Sequence, residues 1–164
     1  MSVTADLTVT LADYGDPADG ADLLAMLDVY ARDPMGGGEP LAQVTRDNLL
    51  AGLAAQPGAF TLLARLDGKA VGLANCFTGF STFKAKPLIN IHDIAVAPDA
   101  RGKGVGRALM RAVEAEAKKR GACKITLEVL GGNEPAKALY AAEGFGSYAL
   151  DPAMGNAQFW EKTL

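Results

Sequence analysis

Ala100-Arg101-Gly102-Lys103-Gly104-Val105-Gly106-Arg107-Ala108-Leu109 is the stretch on which the reading of the fold turns. Three glycines at alternate positions leave a backbone without Cβ atoms to block close approach. Directly after them, Val105, Leu109, Ala112, Val113 and Ala117 recur at helical spacing. The glycines therefore stand where a helix begins, and the first N–H groups of a helix have no partner within it. Those groups, with the positive end of the helix dipole, make an anion site. Arg101, Lys103 and Arg107 add positive charge. The stretch is expected to cradle a pyrophosphate.

Two common phosphate loops do not fit. The dinucleotide pattern G-x-G-x-x-G lacks its third glycine, because Arg107 or Leu109 stands there. In the P-loop pattern, Gly102-Lys103 should be followed by Ser or Thr, but Gly104 follows, and Ala97 holds the first glycine position. What remains is R-x-x-G-x-G at the start of a basic amphipathic helix.

Working outward, residues 88–96 (LINIHDIAV) read as a buried strand entering the cradle, and residues 123–130 as a strand leaving its helix. Strand–helix–strand units of this kind build parallel pairs, with ligands at the carboxyl ends of the strands. Upstream, residues 7–11 form a first strand, and Asp16-Pro17 opens a helix over 18–32 with Leu23, Leu24, Leu27 and Tyr30 on its apolar side. A Gly- and Pro-rich loop spans 33–40, and a second helix spans 44–55. Residues 60–66 and 70–77 form a hairpin around Asp67-Gly68. Residues 78–87 read as a loop carrying Phe80 and Phe83. Downstream, a short helix covers 133–143 with Gly144 as its C-terminal glycine. Two short strands are expected near 145–149 and 158–163.

The 164 residues suit one domain over 1–164, and 49% apolar with 21% charged residues reads as an ordinary globular chain. The formal charge of −3 argues against a nucleic-acid binder. No apolar run has membrane-spanning length, and residues 1–10 lack a charged-then-apolar leader pattern, so a cytoplasmic location and no membrane partner are expected. Cys76 and Cys123 form neither a metal spacing nor a disulfide framework, and no metal is expected. Both read as small buried hydrophobes, and Trp160 as core or subunit interface.

The element order, with R-x-x-G-x-G after the fourth strand, resembles the GNAT superfamily of bacterial N-acetyltransferases over essentially the whole chain. A second block strengthens the likeness: Leu127-Glu128-Val129, Asn133, Ala136, Leu139-Tyr140 and Gly144-Phe145 match its fifth strand and fourth helix. The resemblance implies an α/β domain with a mixed sheet of about seven strands flanked by about four helices. It implies acetyl-CoA as acyl donor and an amine acceptor, either a small molecule or a peptide N-terminus or lysine. A homodimer is an assembly that many members adopt.

By the same resemblance, the backbone of Ile94, Ala95 and Val96 pairs with the pantetheine arm. N–H groups of Gly102, Lys103, Gly104, Val105, Gly106 and Arg107 hold the pyrophosphate, and Arg101 begins the cradle. Asn133 contacts the cofactor or fixes the fourth helix, Ala136 leaves room for the thiol arm, and Tyr140 sits near the sulfur.

The chemistry asks for these groups independently. An attacking amine must be neutral, and a lysine amine of pKa about 10.4 or an α-amino group of about 8 is mostly charged at neutral pH. A departing thiolate can take a proton from a phenol of pKa about 10, so Tyr140 is either the general acid or a packed helix residue. Candidates for the base are Glu128, His92 and Asp93. Glu128 lies twelve residues before Tyr140, the interval found in the enzymes that acetylate ribosomal-protein N-termini, but it also reads as a surface glutamate paired with Lys124. His92 is the chain's only histidine and titrates in the useful range, yet a strand histidine is often only hydrogen-bonded. Asp93 either acts directly or anchors a neighbour. Strand alternation puts His92 and Asp93 on opposite faces. A water-mediated base is the further alternative. In function, a transferase acting by direct attack in a ternary complex stands against a catalytically silent acyl-CoA sensor.

Overall fold

A computed structural model describes residues 6–164; residues 1–5, the start of the stretch read above for a leader, lie outside the described residues. The backbone divides into two compact units, one ending at Leu127 and one running Glu128–Leu164. Among the described residues no helix is long and apolar enough to cross a membrane.

The first unit is built from β1 (Leu7–Leu11), α1 (Pro17–Arg32), α2 (Gln43–Ala55), β2 (Ala59–Leu66), β3 (Lys69–Ser81), β4 (Lys86–Val96), α3 (Val105–Lys119) and β5 (Ile125–Leu127). Five strands lie in the order β1-β2-β3-β4-β5. The first four pair antiparallel, and β5 joins β4 in parallel across the α3 crossover, as the strand–helix–strand reading requires. Asp67 and Gly68 both take positive φ, the geometry whose twist suits a two-residue hairpin turn. Asp16 caps α1 by accepting from the N–H groups of Ala18 and Asp19, with Pro17 in the first turn.

Alternation along β2 and β3 sends successive side chains to two layers. Leu63 and Leu73 join Leu23 and Met26 of α1 and Leu53 of α2. On the opposite face, Gly72 lies against Val105 and Leu109 of α3. Each fully buried leucine contributes about 1.5–3 kcal/mol of burial, so these two layers hold the sheet between the helices.

Several expectations are corrected. The sheet has five strands among the described residues, not about seven. Residues 145–149 and 158–163 form no strand: the nearest backbone bond joins the Ala157 N–H, just before the second stretch, to the Tyr148 carbonyl at 3.1 Å. A single bond makes no ladder, and Pro152 and the left-handed Gly155 turn the backbone between them. Trp160 is accordingly exposed rather than core. The strand expected over 123–130 shrinks to three residues, because its ladder reaches only Ile89 to Ile91 of β4. Cys123, ahead of it, is exposed, whereas Cys76 is buried as expected. Finally, the segment 78–87 is mostly hairpin: β3 and β4 pair out to Ser81 and Lys86, leaving a four-residue turn with Phe83 98% exposed.

The link between α1 and α2 is fixed by Asp28. Arg32 foremost, then the Leu41 N–H and Arg46, hold its carboxyl down to about 2. A folded value below the ordinary carboxylate value means that Asp28 contributes stability above about pH 4 and loses it as pH falls toward 2. Thermal melts between pH 5 and pH 2 are expected to show Tm falling, and Asp28→Asn is expected to flatten part of that fall. An unchanged slope in the variant would assign the acid loss elsewhere.

Candidate active site

The glycine-rich stretch turns into a helix at Val105, as the sequence suggests. Gly102 and Gly104 take φ of +76° and +82°, a region that costs a residue with a Cβ about 1–2 kcal/mol. A Cβ built on either would meet nothing within 4 Å, so open space faces these backbones. Gly104 caps α3 and, having no side chain, leaves that terminus without a capping side-chain bond of its own. The first helical bond here runs from the Ala108 N–H to the Gly104 carbonyl at 3.0 Å, leaving the preceding N–H groups outside the helix ladder. Open space, exposed donors and the helix dipole fit a pyrophosphate.

Arg101 is engaged elsewhere. Its Nη2 donates to Asp33 Oδ2 at 2.8 Å, and its Nε to the Val96 carbonyl at 3.4 Å. Asp33 ends α1, and its carboxylate also accepts the Met35 N–H at 2.9 Å. The Met35 bond first and Arg101 second hold that carboxyl below its ordinary value. Arg101 is thus tied to the glycine-rich loop 33–40 through Asp33, a contact that sequence reasoning missed. An exposed pair of this kind is worth about 0–1 kcal/mol. Arg101→Ala is therefore expected to leave Tm within about 3 °C while amide exchange at residues 35–38 speeds several-fold. Unaltered exchange would show that the loop does not need the pair.

Next to the cradle, β4 breaks its ladder. Asn75 of β3 pairs with Asp93 but Cys76 pairs with Ile91, so His92 is an extra, bulged residue. This overturns the expectation that His92 and Asp93 face oppositely. Asp93 Oδ2 accepts from Asn75 Nδ2 at 3.0 Å, and His92 meets Phe77 edge-on at 5.5 Å. Asn75 and Phe77 stand two apart on β3 and share the α1/α2 face, so both candidates share it too. Burial foremost, then the charge of Asp93, raises the Tyr30 phenol of α1. Burial pushes the Cys76 thiol up to about 12, so it is no nucleophile at neutral pH. Since β5 stops pairing at Ile91, the outer edge of residues 93–96 has no ladder partner among the described strands, while β3 holds Ile94, Ala95 and Val96 from the other side. An unpaired strand edge next to the cradle suits an extended pantetheine arm.

In the second unit, α4 (Glu134–Ala142) starts from Asn133, whose side chain accepts the Ala136 N–H at 3.3 Å. Asn133 thus fixes this helix, one of its two expected roles. Gly144 takes φ of +89° just past the helix end. Tyr140 is 8% exposed, its ring tilted against Phe145 at 6.2 Å. Glu128 lies outside β5 and is exposed.

Comparison with known proteins agrees with this architecture. Streptothricin acetyltransferase of Streptomyces lavendulae is 45% identical over 78 residues, 46% of this chain and 41% of that protein. The chain spans between 22% and 56% of the lengths of the curated relatives it matches. Two solved structures share the fold. An aminoglycoside acetyltransferase from an uncultured soil metagenomic sample, in complex with sisomicin, has a TM-score of 0.76 at 16% identity, covering 96% of this chain and 97% of that one. An aminoglycoside N-acetyltransferase in complex with CoA has a TM-score of 0.75 at 16% identity, covering 100% and 99%. The model of the Acetyltransferase (GNAT) family matches residues 23–145. With that match spanning well over half of its length, the chain belongs to the GNAT acetyltransferase family.

Proposed function

We propose that this chain is an N-acetyltransferase that moves the acetyl group of acetyl-CoA to a primary amine of a small cationic acceptor, by direct attack within a ternary complex. The observation that carries the reading is the bulge in β4. It sets a carboxylate and an imidazole on one face, immediately before a strand segment with an open edge and the helix-terminal cradle. The kinship with streptothricin acetyltransferase supports a small amine acceptor.

Acetyl-CoA, when bound, supplies an activated acyl group. N–H groups of Gly102 to Arg107 hold its pyrophosphate, and the backbone of Ile94 to Val96 pairs with its pantetheine arm. Asp93 anchors the acceptor's ammonium by charge and hydrogen bonding. His92, its neighbour on the same face, takes the proton that the amine must lose before it attacks. Tyr140 returns a proton to the departing thiolate, and Glu128, exposed beyond β5, is left out of this scheme.

Thiol release from acetyl-CoA should be followed with sisomicin, streptothricin, spermidine, lysine and a peptide with a free N-terminus. Turnover on one or more of the small polyamines is the expected result. Turnover on the peptide alone would replace the acceptor class. Tight acetyl-CoA binding without turnover on any amine would support the silent-sensor reading instead.

A further inference from the structure

Two polar side chains lie in the middle of otherwise apolar strands. Thr61 of β2 is 0% exposed and Asn75 of β3 is 3% exposed, flanked by Phe60 and Leu62 and by Ala74 and Cys76 respectively. Thr61 Oγ1 donates to Asn75 Oδ1 at 2.6 Å, and Asn75 Nδ2 donates to Asp93 Oδ2 at 3.0 Å. A threonine hydroxyl has one hydrogen. With that hydrogen on Asn75, the 3.0 Å contact between Tyr14 and Thr61 has Tyr14 as its donor. Burial, the largest influence on it, raises the Tyr14 phenol, which keeps that proton in place. All three bonds therefore run one way, from Tyr14 through Thr61 and Asn75 to Asp93, and bonds linked in this manner strengthen one another. The bond from Asn75 engages one carboxylate oxygen, Oδ2, and leaves Oδ1 out of the relay.

The fold has no evident need of this chain. Replacing both partners of a buried hydrogen bond by apolar groups of the same shape is close to neutral for stability. What the bonds do have is a destination: a half-buried carboxylate beside the bulge.

We propose that Tyr14, Thr61 and Asn75 are positioning residues for acetyl transfer, holding Asp93 by one oxygen so that the other is presented to the acceptor amine. This rests on the reading of Asp93 as the acceptor's anchor.

A double-mutant cycle tests it, using the amine from the panel that turns over fastest. Thr61→Val, which matches threonine in shape, is expected to lower kcat/KM for the amine about tenfold, the equivalent of one lost hydrogen bond, with KM for acetyl-CoA within about twofold. Thr61→Ser is expected to restore most of the loss. In an Asp93→Asn background, Thr61→Val is expected to cost less than about a further twofold, because its effect passes through Asp93. Equal losses in both backgrounds overturn the proposal. If Asp93→Asn is crippled while folded Thr61→Val is fully active, the positioning chain fails alone. If Asp93→Asn is itself fully active, the anchoring role fails and the chain with it. Tyr14→Phe, at the half-buried end, leaves the Thr61–Asn75 bond in place and serves if Thr61→Val does not fold. A crystal structure of Thr61→Val gives a reading without any acceptor: the Asp93 carboxylate is expected to move away from Asn75 or to spread over two conformers. A single unmoved conformer in that variant overturns the proposal.

Discussion

Asp93→Asn is expected to lower kcat/KM for the acceptor amine by about 100-fold, in line with the 2–5 kcal/mol lost when one partner of a hydrogen-bonded charge pair is truncated. The substitution keeps size and shape but removes the charge that holds the ammonium. The amide either turns an N–H toward the Asn75 N–H and loses the 3.0 Å bond, or keeps its oxygen there and presents an N–H, not an acceptor, to the amine. KM for acetyl-CoA should change by less than about twofold, since the cradle begins at Arg101 on another element. His92→Gln should behave differently, lowering kcat rather than raising the acceptor's KM. If Asp93→Asn and His92→Gln gave the same kinetic pattern, the division between anchor and base would be wrong.

The second large effect concerns a glycine in mid-strand. A Cβ at Gly72 would lie 2.8 Å from Val105 Cγ1, 3.0 Å from Leu109 Cδ1 and 3.3 Å from Ala64 Cβ. All three neighbours are buried at 1% or less, so none has space into which to retreat. Gly72→Val is therefore expected to destabilise the protein by about 3 kcal/mol, at the upper end for overpacking, and to lower Tm by about 6–12 °C. Acetyl-CoA binding should weaken as well, because the helix pushed away is the one whose first turn forms the cradle. Gly52, inside α2, is the control: a Cβ there meets nothing within 4 Å. Gly52→Ala should stabilise by about 0.5–1 kcal/mol. Melting curves of the two variants shifting in the same direction would contradict this account of the packing.

Local signals were readable where the cause is local. Asp16-Pro17 announces the start of α1 and Asp67-Gly68 a tight turn, and both turn out as read because capping and positive φ depend on the residues themselves. The glycine turn into α3 was readable for the same reason. The strands near 145–149 and 158–163 were not, since alternation marks a segment that suits a sheet without supplying its partner. Asp33 and Asn75 escaped notice because their importance lies in long-range contacts, 68 residues away at Arg101 and 18 away at Asp93. A faint signal for Thr61 and Asn75 did exist: a threonine and an asparagine inside otherwise apolar runs.

The bulge in β4 can also be treated as arithmetic. Ile89 and Ile91 share a face with Ile94 and Val96, as their partners Thr78, Cys76, Ala74 and Gly72 on β3 require. The first two bear odd numbers and the last two even ones. A strict two-residue repeat cannot serve both pairs, so one residue between them has to be surplus to the count. Remove His92 and the parity closes: every other side chain of β4 keeps its layer, and an ordinary ladder runs through. The sheet is therefore indifferent to a codon that the proposed chemistry needs. In this strand, the length of the chain encodes function, and the apolar pattern on either side encodes the fold.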